Sequence, residues 1–212
     1  ELPPSSCLKI DFKGKTFSYN YWKPKLIENI NLSYLDAVEM TREAIINSMK
    51  LRMRSDVPIA FCMSGGVDSN CLISIASKIL ECEVHGFTIV NTDKRYEEQS
   101  IISQSVKELG IKHSSVNLEK KNFLQNLSTL IKHHDSPIYT ISYFLHWQLM
   151  KCIANEGFKV TISGTAADEL FTGYYDHHNL YLYEVSNNEK LFKKSLDNWN
   201  KYQERIVRNP YL

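Results

Sequence analysis

An apolar run from Val57 to Met63 stops at Ser64-Gly65-Gly66-Val67-Asp68-Ser69, and a helical spacing of apolar residues (Cys71, Leu72, Ile75, Ala76, Ile79) begins at once. That order reads as strand, tight loop, helix. The two glycines allow positive φ and let the backbone approach a ligand with no Cβ in the way. Successive loop N–H groups form a nest, and the helix turns the positive end of its dipole toward the same spot. An anion fits such a place. Asp68 would repel a bare phosphate, so its position beside the nest points to a divalent cation bridging carboxylate and phosphate oxygens, as in a Mg-nucleotide. A structural reading competes with this one, because Gly-Gly is common in turns and an acid in a first helical turn compensates the dipole. Gly14-Lys15-Thr16 is a poor rival phosphate loop: Lys9 stands where that pattern needs its first glycine, and no apolar strand leads in.

The rest of the chain repeats the alternation. A loosely alternating stretch over residues 8–22 surrounds Lys13-Gly14-Lys15 and predicts a small hairpin ended by Pro24. Ser33 with Asp36 signals a helix start, and Leu35, Val38, Ile45, Ile46, Met49 and Met53 keep helical spacing. Further strands are expected at 84–90, 112–118 and 158–162. Helices are expected from Tyr96-Glu97-Glu98 to Leu109, closed by Gly110, then near 123–131 and 141–153, and from Leu180 through Phe192, Leu196, Trp199 and Ile206. Strands alternating with helices of this length imply an α/β fold: a parallel sheet with right-handed crossovers and helices on both faces. Ligands in such sheets bind beyond the carboxyl ends of the strands.

The 212 residues, 43% of them hydrophobic, suffice for one sizeable core with an appendage. With 25 basic against 24 acidic residues the chain has no field to draw nucleic acid or an anionic membrane. Five cysteines without a C-x-x-C pair suit buried, reduced thiols, and no apolar run approaches a membrane span, so a cytoplasmic location is expected. The chain starts at Glu1 with Pro3-Pro4 close behind, and reads as a piece cut from something longer.

A second motif mirrors the first. Ser163-Gly164-Thr165-Ala166-Ala167-Asp168-Glu169-Leu170-Phe171-Thr172-Gly173-Tyr174 again sets a serine and a glycine after a strand and an acid at a helix start. Two carboxylates on neighbouring loops, Asp68 and Asp168, could share a metal that neutralises a departing pyrophosphate. Together with Asp56-Val57-Pro58, Ser64 to Ser69 and Tyr96-Glu97-Glu98, this segment resembles the synthetase domain of the asparagine synthetase family over roughly residues 33–180. The hexapeptide resembles the signature loop of the ATP pyrophosphatases, whose fold is of the adenine nucleotide alpha hydrolase type. Residues 1–32, through Tyr21-Trp22-Lys23-Pro24, resemble the stretch that joins this domain to an N-terminal glutaminase, leaving 33–212 as a synthetase domain truncated at its C-terminus.

The resemblance implies roles position by position. Ser64, Gly65, Gly66, Val67, Asp68 and Ser69 would hold the pyrophosphate of ATP and its Mg²⁺, with Asp168 as the second metal carboxylate. Met63 and Ile89 match apolar positions bordering the adenine, and Ser163 and Gly164 match a pair contacting the nucleotide. A carboxylate, aspartate foremost, would attack the α-phosphorus, and ammonia from the glutaminase would then displace AMP. The implied partners are small molecules, with a homodimer left open. Two departures stand out. The family usually reads Ser-Gly-Glu-Gly in the second motif, its Glu acting as base, whereas this chain has Thr165 and Ala166, and a threonine hydroxyl is no base near neutral pH. A later helical lysine of the family is not matched either: Lys190, Lys193 and Lys194 suggest a solvated face. These departures keep two alternatives in view, an amidotransferase acting on another carboxylate, such as a sugar acid of a surface polysaccharide, and a non-catalytic ATP-binding module. His133-His134-Asp135 and Asp176-His177-His178 lack a third partner at helical spacing and are expected to be polar surface rather than metal sites.

Overall fold

A computed structural model of the chain describes residues 2–25, 31–90, 98–118 and 121–204. It divides into two units, Glu1–Ile45 and Ile46–Leu212. In the first, strands β1 (Ser6–Ile10) and β2 (Thr16–Asn20) pair antiparallel with Ser6 opposite Asn20. Asp11 closes their turn, its Oδ1 accepting the N–H groups of Lys13 and Lys15 at 2.9 and 2.8 Å. Helix α1 (Tyr34–Arg52) starts as expected: Ser33 Oγ accepts the Asp36 N–H at 3.1 Å. Leu35 and Val38 are exposed, however, and burial along α1 begins with Ile46 and Met49, which belong to the second unit.

The second unit is an α/β domain around a four-stranded sheet. Strands β3 (Ile59–Cys62), β4 (His85–Val90), β5 (Lys112–Asn117) and β6 (Val160–Ile162) lie in the order β5-β4-β3-β6, and every pair is parallel. The sequence-derived fold class holds. Between the strands run α2 (Val67–Ser74), α3 (Gln99–Leu109), α4 (Phe123–His134) and α5 (Ser142–Asn155), and α6 (Ala167–Phe171), α7 (Tyr175–Glu184) and α8 (Glu189–Tyr202) follow β6. Gly110 ends α3 where its position foretold. The expected opening at Tyr96-Glu97 falls outside the described residues, as does Ile206.

The core gathers where residues of the central strands β3 and β4 and of the edge strand β5 meet the apolar face of α5. Ala60, Phe87, Val116, Leu149 and Ile153 form one cluster, with Phe158 packed against it. Burying a side chain such as Phe87, 1% exposed, contributes roughly 1.5–3 kcal/mol.

Two sequence expectations need correction. The apolar face assigned to the helix after Ser64 holds only in part: Ile75 and Ala76 are buried as expected, but Cys71 is exposed and Ile79 is 46% exposed, while Ile73 is buried. A π-helical turn over Ile75–Ile79, with the Leu80 N–H reaching back to Ile75 O at 2.9 Å, widens the helix and shifts the phase at Ile79; Ser69, Ile73 and Ala76 keep the ordinary helical spacing before it. The single helical pattern expected from Leu180 is two helices, because Asn188 accepts the Leu191 N–H at 3.1 Å and starts α8 anew. Among the described residues no helix is long and apolar enough to cross a membrane.

Candidate nucleotide site

β3 delivers the chain into the loop Ser64–Gly66 and then into α2. The loop amides are all engaged. Ser64 N–H donates to Ser69 Oγ (3.2 Å), Gly65 N–H to Glu98 Oε2 (2.7 Å) and Gly66 N–H to Ser64 Oγ (3.2 Å). Asn70 Nδ2 binds the carbonyls of Ser64 (2.9 Å) and Gly66 (2.8 Å). Its Oδ1 is buried without a partner among the described residues. The loop thus holds its shape through hydrogen bonds, with two serine hydroxyls only 2.9 Å apart at its centre.

Neither glycine of this loop has positive φ; Gly66 sits at φ −73°, ψ 154°. The expectation of a left-handed glycine is therefore wrong here, and the reason for Gly65 is space. A Cβ at Gly65 would lie 3.0 Å from Glu98 Cβ. The same holds for Gly164 in the second loop, where a Cβ would lie 2.9 Å from both Asp68 Cβ and Ser69 N. That contact brings the two sequence motifs against each other at the carboxyl ends of the adjacent strands β3 and β6.

Between them opens a cavity of about 310 Å³, at the small end of the range for ligand pockets. Of the residues expected there, Met63, Ser64, Gly66, Asp68 and Ser69 line it from the β3 side. Ile89 lines it from β4, and Ser163, Gly164 and Thr165 from β6. Gly65, Val67 and Asp168 do not. Glu98 is laid against Gly65, and Val67 is 79% exposed. Asp168 turns toward Gly173, its Oδ1 occupying the space that a Cβ there would need.

Several lining groups escaped the sequence reading. His146 and Leu149 reach the cavity from α5 at a helical i, i+3 spacing that could have revealed them. Thr88 donates to Met63 O at 2.9 Å and meets His113 Nε2 at 3.0 Å, so the imidazole carries its proton on Nε2 and donates to the hydroxyl. Only the pairing of β4 with β5, Gly86 opposite His113, makes that contact possible. Burial, helped by nearby His85, holds His113 below the ordinary histidine pKa. Burial also raises the thiol of Cys62, leaving it a neutral part of the wall.

The second loop is shaped differently. Ala166 and Thr172 both adopt positive φ, 74° and 60°. Ser163 Oγ and Thr165 Oγ1 lie 3.0 Å apart. The Tyr174 hydroxyl donates to Glu169 Oε1 at 2.8 Å, which lowers the Glu169 carboxyl and raises the Tyr174 phenol. His177 Nδ1 accepts the Tyr174 N–H at 3.3 Å and caps α7; His134 packs on Tyr143, and His178 on Trp199. Lys190, Lys193 and Lys194 are exposed.

For a divalent cation, the donor set is Asp68. It is half-buried, lines the cavity and has no hydrogen-bond partner among the described residues, which suits a carboxylate that shares a metal with phosphate oxygens. Among the described residues no group of three or more His, Cys, Asp or Glu side chains could hold a metal by itself. A cation here needs ligand oxygens to complete its shell.

Amidase chyE of Penicillium rubens is 22% identical to the chain over 171 residues, 73% of this chain and 25% of that protein. Asparagine synthetase [glutamine-hydrolyzing] 1 of Bacillus subtilis is 29% identical over 168 residues, 77% of this chain and 25% of that protein. The chain therefore spans about a quarter of the length of these relatives. Among solved structures, the NH3-dependent NAD synthetase from Campylobacter jejuni superposes with a TM-score of 0.40 at 14% identity, covering 85% of this chain and 90% of that one. The asparagine synthase family model matches residues 40–209, which takes in the whole parallel sheet and both strand-end loops, and the chain belongs to that family.

Proposed function

We propose that this chain is the ATP-binding, amide-forming part of an amidotransferase, in which a carboxylate is adenylated with release of pyrophosphate and ammonia then displaces AMP. The observation that carries the reading is the cavity itself. One space at the strand ends is lined by a hydrogen-bonded glycine loop with a helix behind it, by apolar Met63 and Ile89, and by Asp68.

In this reading the base lies between Met63 and Ile89, whose side chains flank a flat ring while nearby main-chain groups meet its polar edge. Ser64, Gly66 and Ser69 face the phosphates, their hydroxyls and amides exchanging internal partners for phosphate oxygens. Asp68 would hold Mg²⁺, with Asp168, turned toward Gly173 in this structure, as the candidate second carboxylate; the ion would supply charge neutralisation on the phosphate chain. The protein contributes alignment for in-line attack and a fixed electrostatic frame, with no covalent chemistry of its own. Ser163 and Gly164 border the nucleotide, and Thr165 faces the reacting carboxyl. A glutaminase in a longer protein would supply the ammonia.

A second reading keeps the chemistry and changes the acceptor from aspartate to another carboxylate. It is favoured by Thr165, whose Oγ1 is engaged with Ser163 Oγ where the family usually carries a glutamate. Pyrophosphate release from Mg-ATP, measured across carboxylates led by aspartate with Asp68→Ala as control, decides between them. Release with aspartate that disappears in the control supports asparagine formation. Release only with another acid moves the acceptor, and silence with every acid leaves a non-catalytic ATP-binding module.

A further inference from the structure

An acid at a helix start normally accepts N–H groups of its own first turn or rests in the field of its dipole. Glu98 does neither job with a hydrogen bond. It immediately precedes α3, and its side chain makes no capping bond there. Instead its carboxylate crosses to the loop after β3, where Oε2 accepts the Gly65 N–H at 2.7 Å. The rest of the side chain follows. A Cβ on Gly65 would meet Glu98 Cβ, Cγ and Cδ at 3.0, 3.2 and 3.3 Å, so the whole side chain lies flat along the bare glycine.

The other end of this contact is anchored. Glu98 O accepts the Ile102 N–H at 3.0 Å, and Ile102, 4% exposed, is packed in the wall of the same cavity. Gly65 does not face the cavity, whereas Glu98 does. We propose that Glu98 is a positioning residue: it ties the phosphate-side loop to the start of α3 and fixes the shape in which Ser64, Gly66 and Ser69 meet an oxyanion. The proposal rests on the ATP-binding reading of this cavity. A rival account has the carboxylate occupying the place of a phosphate, to be expelled when ligand arrives. Contact along the full side chain, from a backbone already committed to a helix, speaks for the tie.

Two measurements test it on the purified protein, with Mg-ATP and with inorganic pyrophosphate as probes. Calorimetry on Glu98→Ala is expected to show Mg-ATP binding weakened by about tenfold or more, as for loss of a charged hydrogen bond. Glu98→Gln, which keeps the shape and an acceptor oxygen, recovers most of it. Tighter pyrophosphate binding in both variants would overturn the proposal in favour of the occupant account, and unchanged affinity in Glu98→Ala would overturn it outright. Amide hydrogen exchange at Gly65 needs no ligand. Exchange should quicken in Glu98→Ala and stay near the parental rate in Glu98→Gln, and an unchanged rate in Glu98→Ala sinks the tie. If the unsubstituted protein binds neither probe, the ATP reading fails while exchange at Gly65 still decides the role of Glu98. Should Glu98→Ala not fold, Gly65→Ala displaces the same side chain and is read by the same exchange of the residue 65 amide.

Discussion

The loops after β3 and β6 are built from similar residues and are held in shape by different means. Each sets a serine and a glycine after a parallel strand and an aspartate at the second position of the following helix. After β3 the N-cap is Gly66 in ordinary extended backbone, and every amide from Ser64 to Gly66 has an acceptor. After β6 the N-cap is Ala166 at φ 74°, so an alanine takes the conformation that glycine adopts freely. The first loop stores its geometry in hydrogen bonds. The second stores part of it in backbone strain, with Thr172, a β-branched residue, repeating the conformation six positions on. A loop of the first kind suits a ligand portion that never varies, such as a phosphate chain. A loop of the second kind suits a boundary that can be reshaped.

The comparison is most exposed where the loops touch. Gly164→Ala would drive a Cβ to 2.9 Å from Ser69 N, a backbone atom that cannot swing aside. Overpacking of this sort costs about 1–3 kcal/mol or more, so the denaturant midpoint should fall clearly, and a neutral result would mean the loops are not in contact. Next in size is Asp68→Asn, expected to weaken Mg-ATP by roughly 10- to 150-fold, about 1.5–3 kcal/mol, in titrations with Mg²⁺ present. Asp168→Asn is expected to do less, because its carboxylate is turned to Gly173 outside the cavity lining, and a loss equal to that of Asp68→Asn would show that it swings into the cavity to share the ion.

Smaller effects separate the two ways of holding shape. Ala166→Gly relieves a left-handed alanine but adds freedom to the unfolded chain, so a net gain of about 0.5–1 kcal/mol in equilibrium unfolding is expected. Gly66→Ala, at φ −73° with only Ser64 Oγ at 3.3 Å, should be close to neutral in the same assay. Equal responses would erase the distinction. The smallest effect is a pH dependence. His113 is held below its ordinary value by burial, so its contribution is present above the unfolded pKa of about 6.5 and is lost as pH falls below it. Unfolding midpoints of the parent should decline below that pH more steeply than those of His113→Gln.

Much of the architecture is legible from periodicity, because strands buried in a parallel sheet read as apolar runs. Val84 to Val90 is β4 almost to the residue, and the loops at Ser64 and Ser163 lie at one sheet edge as the alternation requires. What pattern could not supply is anything set by register or by a long reach. His113 reaches Thr88 only because β5 pairs with β4 in one register, and Glu98 is 33 positions from Gly65. The expected place of Ile79 on the inward face failed because the π-helical turn over Ile75–Ile79 obeys a different period from the 3.6 on which the expectation stands. The reason for Gly65 was also misjudged. Sequence reveals that a side chain is missing, and only the neighbours reveal whether φ or space demanded it.

The approach of Gly164 to Asp68 and Ser69 makes the cleft a gauge set by bare main chain. Its width depends on the thickness of a peptide backbone, and no choice of side chain at Ser163 or Thr165 alters that thickness. Substitutions on the β6 side can therefore change the lining of the cavity while the gap between the two loops stays constant.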